Sequence, residues 1–133
     1  MDFFNGLAKG LSARSTTSAV GGLYAPGRSK EYDYNETDSI PSEMGSYRFI
    51  DKNRQIVYIG ISKDVRSRVK EHKRKGVKFL FGEKVAVQIA ISGDKNEIYE
   101  KMRQHEQMKV NQHNPARNER RGGGGRTPNL DVD

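Results

Sequence analysis

Five side chains of types that could break a phosphodiester bond recur here at spacings that let them meet. Arg68 and His72 stand four residues apart, so on a helix they share one face. They adjoin the apolar stripe of Val65 and Val69, at the border of the core. A guanidinium placed there can grip a phosphate with two parallel donors, or it can lie over the core with its head in water. Glu106 falls on the stripe marked by Ile98, Met102 and Val110. A carboxylate on a core-facing stripe is expensive unless it binds a cation through oxygen or pairs with Arg68 or another base. Tyr47 and Tyr58 fall on successive strand-like segments and could meet across a hairpin, for chemistry or for ordinary aromatic packing.

The elements that must position these groups read as follows. Alternation begins at Gly45 and runs through Tyr47 and Phe49. Asp51-Lys52-Asn53-Arg54 is a turn cluster. Ile56, Tyr58 and Gly60 then alternate with Val57, Ile59 and Ile61, and the second strand of this hairpin is apolar on both faces. Ser62 or Asp64 can cap a helix to about Lys75, closed by Gly76. This helix is strongly basic, with Arg66, Arg68, Lys70, Lys73, Arg74 and Lys75. Lys84 to Ser92 reads as a third strand. Gly93-Asp94 opens a second helix that ends before Asn114-Pro115. The order ββαβα predicts an α+β fold, a small antiparallel three-stranded sheet flanked by helices.

Outside this unit, residues 1–43 carry no sustained period and read as a flexible N-terminal arm or linker with a short helix at most. Residues 44–119 form the predicted domain, and residues 120–133 a flexible basic Gly-rich tail.

The chain has 133 residues, a formal charge of +7 and only 33% hydrophobic residues, which suits one domain with segments outside the core. The basic excess favours a polyanionic partner. There is no cysteine, which excludes thiolate metal sites and disulfides. No apolar run is long enough to span a bilayer, and the first residues lack the pattern of a Sec-type signal peptide. Two metal motifs fail on spacing. His105-Glu106 begins like a zincin helix, but Lys109 stands where the second histidine belongs. Three scattered histidines argue against a zinc site.

Gly45-Ser46-Tyr47 followed by Val57-Tyr58-Ile59-Gly60 resembles the paired motif of the GIY-YIG nuclease family. Ser62 to His72 is similar to that family's first helix, with its arginine at Arg68 and its histidine or tyrosine at His72. Glu106 and Asn118 stand at the family spacing of a glutamate and an asparagine, and Asn111 to Asn118 resembles the end of the excision-repair nuclease domain. Two residues depart from the pattern: Ser46 replaces an apolar residue, and Ile61 stands where excision-repair members carry lysine.

The resemblance covers residues 45–118 and implies a metal-dependent endonuclease acting on DNA, with Glu106 holding one Mg²⁺ or Mn²⁺. It implies Tyr47 or Tyr58 as general base, with Lys63 or His72 to activate it. Arg68 would stabilise the pentavalent phosphate, and Asn118 would hold the site together by hydrogen bonds. Lys63, Lys73, Arg74 and Lys75 are the expected substrate contacts. They would grip the backbone without reading sequence, so specificity is expected to be low. The settings include a bacterial toxin or effector paired with an immunity protein, acting in the cytoplasm after delivery, and a phage, restriction or repair nuclease. The alternative is a non-catalytic nucleic-acid-binding module on the same fold. No membrane partner is expected.

Overall fold

The computed structural model describes residues 22–120 and 127–133. Its strands are β1 (Tyr24–Asp33), β2 (Gly45–Ile50), β3 (Ile56–Ser62), β4 (Lys84–Ala90) and β5 (Asp131–Val132). Its α-helices are α1 (Val65–Lys75) and α2 (Lys95–His113), with a short 3-10 helix at Tyr34–Ser39. The fold is α+β, as expected, but the sheet has five strands in the order β1-β4-β2-β3-β5. The predicted three-stranded antiparallel sheet is its centre, and β5 adds a parallel pairing to β3.

The hairpin turn is built by Asp51, whose side chain accepts hydrogen bonds from the backbone N–H groups of Asn53 and Gln55, both at 2.9 Å. Asp64 caps α1 by accepting from the N–H of Ser67, and Gly76 closes that helix at φ +67°, where a side chain would be strained. Asp94 caps α2 in the same way. Asn114 ends it in the left-handed region, one residue before Pro115.

Alternation along β2 divides its side chains between the two faces of the sheet. Tyr47 and Phe49 join Tyr58, Val65, Val69 and Phe79 in one buried cluster, under α1. Ile59 and Ile61 join Ile98, Met102 and Val110 in the other, under α2. The molecule is therefore three layers, with α1 and α2 on opposite faces.

Two segments expected to be arm and tail belong to this sheet. β1 is an edge strand whose middle is exposed; only Tyr24 and Tyr32 are buried. Its sequence shows no alternation because no apolar face is being covered there, and pairing with β4 supplies the order instead. Residues 22–43 are thus part of the folded unit. β5 is two residues long, too short to leave a periodic signal. The short helix expected before residue 22 and the Gly-rich stretch 121–126 lie outside the described residues. No described helix is long and apolar enough to cross a membrane.

Candidate active site

Four of the expected residues converge on the α1 face. Arg68 and His72 come from α1, Tyr47 from β2 and Tyr58 from β3. The His72 ring lies 5.9 Å from that of Tyr47 and 5.1 Å from that of Tyr58, centroid to centroid. The Tyr47 hydroxyl is 3.3 Å from His72 Nε2. Phe49 stacks on Tyr58 at 5.4 Å and on Phe79 at 4.4 Å, so the aromatic bed under the site is fixed by packing.

The close approach of β2 and β3 makes room for Tyr47. Gly60 is its cross-strand partner, and a Cβ at Gly60 would overlap the Tyr47 phenol. Gly60→Ala is expected to displace that ring, lower the urea midpoint and reduce any activity that depends on it. A variant with native midpoint and native activity would show that Tyr47 has no fixed place in the site.

A fifth residue sits at the centre of the four, and the sequence did not single it out. Asp131 of β5 takes hydrogen bonds from Arg68 Nε at 3.1 Å and Arg68 Nη2 at 2.6 Å, one to each carboxylate oxygen. The Tyr47 hydroxyl donates to the same carboxylate, and His72 Nε2 lies 3.1 Å from it. Burial raises the Asp131 carboxyl. The hydrogen bonds from His72, Arg68 and Tyr47 outweigh that and hold it well below the usual carboxylate range. The same hydrogen bonds hold Arg68 firmly charged. Burial and the Asp131 charge push both Tyr47 and Tyr58 well above the ordinary phenol value, against a smaller opposing effect of Arg68.

A cleft of about 340 Å³ opens beside this cluster, lined by Tyr58, Arg68, His72, Lys75, Lys78, Glu119 and Asp131. Tyr47 is fully buried, whereas Tyr58 lines the cleft. Lys78 reaches over the Tyr58 ring at 5.6 Å. The expected substrate contacts divide. Lys75 lines the cleft, and Arg74 is exposed close by in sequence. Lys73 is committed elsewhere, donating to the Tyr34 carbonyl at 2.8 Å and covering the Tyr34 ring. Lys63 lies over Tyr99 and lines a different cleft with Ser42 and Glu43.

Glu106 is not brought to the cluster. It is fully buried among the side chains under α2, across the sheet from Arg68. Its Oε2 accepts from the Tyr24 hydroxyl at 2.6 Å, and its Oε1 from Arg48 Nη2 at 3.2 Å. Of the two readings open from the sequence, cation ligand or salt bridge, the geometry is that of a salt bridge, with Arg48 as the base. Burial, then the Glu106 charge, push the Tyr24 phenol well above its usual range, so it stays a donor. With both oxygens engaged and no exposure, Glu106 does not fit a metal shared with Arg68. Among the described residues no three acidic or histidine side chains form a metal cluster.

Asn118 sits between the two clusters, at the edge of β3. Its Oδ1 accepts from Ile59 N–H at 3.0 Å. Its Nδ2 donates to the Ile59 carbonyl at 3.0 Å and to the Asn129 carbonyl at 2.7 Å. It thereby ties β3 to the segment that carries Asp131.

Residues 43–97 match the family model described as the GIY-YIG catalytic domain. The match includes Tyr47, Tyr58, Arg68 and His72 and ends before Glu106 and Asn118. A domain of this kind indicates a nuclease-type function. No match to a curated protein was found.

Proposed function

We propose that this chain, which carries a GIY-YIG catalytic domain over residues 43–97, is an endonuclease that hydrolyses phosphodiester bonds in DNA with little sequence preference. The observation that carries this reading is the convergence of Arg68, His72, Tyr47 and Tyr58 beside a cleft edged by Lys75 and Lys78. The guanidinium of Arg68 presents a planar fork suited to two phosphate oxygens, and gains strength as charge builds on a pentavalent phosphorus. Tyr58, on the cleft wall, is the better placed of the two phenols to orient an attacking water; held protonated by burial and the Asp131 charge, it would act as base only after losing its own proton. Tyr47 is deeper and holds the His72 ring in register. Lys75 and exposed Arg74 supply backbone contacts that do not depend on base identity, and Lys78, which donates to the Arg117 carbonyl at 2.8 Å, adds positive charge at the cleft wall.

Nucleases of this family are generally divalent-metal dependent, and Mg²⁺ or Mn²⁺ is the expected ion. Glu106, its expected ligand, does not fit that role in the geometry described. The cleft's own carboxylates are Asp131, engaged by Arg68, and Glu119. The position of Glu106 favours a second reading, a nucleic-acid-binding module without catalysis. A toxin or effector role with an immunity protein is one setting for the nuclease, beside phage, restriction or repair roles.

The test is supercoiled plasmid incubated with the chain and Mg²⁺ or Mn²⁺, beside EDTA and Tyr58→Phe controls. Nicking that disappears in both controls is expected. Salt-sensitive DNA binding with no nicking under any ion would replace the nuclease by the binding module.

A further inference from the structure

Three of the four groups that would hold a phosphate hold a carboxylate of this same chain. Asp131 takes both prongs of Arg68, the Tyr47 hydroxyl and the contact with His72 Nε2, and its charge bears on Tyr58. A carboxylate in an arginine fork has the charge and spacing of two phosphate oxygens. The geometry points to the segment 127–133 as an internal plug, in which the Asp131 carboxylate occupies the phosphate subsite formed by Arg68, Tyr47, Tyr58 and His72.

The plug's strand pairing to β3 is local. It covers two residues, at Gly60–Asp131 and Ile61–Val132. Leu130, the residue before β5, packs under α2 while Asp131 faces α1, so successive side chains of the segment are divided between the two faces of the sheet. Gln107 clasps the segment with both polar atoms of its amide, Nε2 donating to the Pro128 carbonyl at 3.1 Å and Oε1 accepting from Leu130 N–H at 3.1 Å. The Ser62 hydroxyl meets the Asp133 carboxylate at 2.5 Å. The Asn118 amide donates to the Asn129 carbonyl and the Tyr99 hydroxyl to the Asp133 carboxylate, so the segment is held chiefly by side chains, and a two-residue edge strand opens at lower cost than the central sheet. The segment is acidic at Asp131 and Asp133 in a chain of formal charge +7. The basic cleft therefore attracts it for the same reason that it attracts a polyanion. While it is seated, DNA phosphate cannot reach Arg68, and substrate must displace it.

This inference rests on the cleft being a phosphate site, and binding measured without metal tests it apart from catalysis. A short labelled DNA duplex is titrated in EDTA, by fluorescence anisotropy, into the native chain, Asp131→Asn, Asp131→Ala and Asp131→Ala/Arg68→Ala. Freeing a competent state that is rarely open raises apparent affinity by about 10-fold or more, the expected gain for both single variants. The double variant is expected to lose that gain. Unchanged or weaker binding by the Asp131 variants would overturn the plug, and would make Asp131 a positioning residue for Arg68. A second measurement uses only the native chain. Added duplex is expected to raise hydrogen exchange at the amides of 129–132, and undiminished protection there overturns the proposal. If binding tightens but no variant nicks plasmid with Mg²⁺ or Mn²⁺, the nuclease reading fails while the plug stands. If the native chain nicks and Asp131→Asn nicks more slowly without binding more tightly, the nuclease reading stands and the plug falls.

Discussion

Arg68→Ala is expected to lower plasmid cleavage by about 10²–10³-fold, the usual consequence of removing one preorganised donor from a developing oxyanion. The side chain is half-buried on α1, and its guanidinium is already oriented by contacts with Asp131 and with Glu71 at 2.7 Å. Glu71 holds Nη1 whether or not Asp131 is seated, so part of the guanidinium's orientation remains once substrate displaces that carboxylate. Arg68→Lys should recover only part of the loss, because an ammonium keeps the charge but not the two parallel donors. Single-turnover cleavage at saturating chain concentration separates this effect from weaker binding. That separation matters because Arg68→Ala also removes the principal partner of Asp131. Native rates under those conditions would take Arg68 out of the reaction. Unaltered far-UV circular dichroism would show that the variant is folded.

Glu106→Ala is expected to act first on stability, lowering it by about 3–5 kcal/mol, as when one member of a buried ion pair is removed. A single domain is stable by only about 5–15 kcal/mol, so this variant should unfold at a much lower urea concentration. The physical reason is the position of the carboxylate. It is fully buried, holds Arg48 and accepts from Tyr24. Truncation takes that carboxylate from Arg48 and Tyr24 in a place water does not reach. Glu106→Gln keeps the volume and an acceptor for Tyr24 and should lose less. Activity must then be read on Glu106→Gln below its melting transition. A folded Glu106→Gln variant without cleavage, beside a native chain that cuts, would give Glu106 a part in the reaction that its contacts here do not explain. A native urea midpoint for Glu106→Ala would contradict the ion pair.

Much of the frame was legible because its signals are local. The Asp51 turn, the Asp64 and Asp94 caps and the Gly76 stop each act over a few residues, and each stands where the sequence placed it. β1 was not legible. Its side chains are mostly exposed, and what orders it is the neighbouring backbone of β4. Lys63 and Lys73 looked like substrate contacts by charge alone. Their direction was settled by Tyr99 and Tyr34, which come from other elements.

By itself the sequence determined the central hairpin and both helices, and the family resemblance brought Tyr47, Tyr58, Arg68 and His72 into one site. Those four lie on three successive elements with short connections, and strand and helix periods fix the direction of each side chain. Tertiary structure alone decided which carboxylate joins them. Glu106 sits on a helix whose apolar stripe reads the same against either face of a sheet. Packing under the second face sent it to Arg48 and Tyr24. Asp131 lies 63 residues beyond Arg68 in the chain, on a two-residue strand, and nothing local carries that pairing. It follows from charge attraction and from the open edge of β3, and both exist only once the sheet has formed.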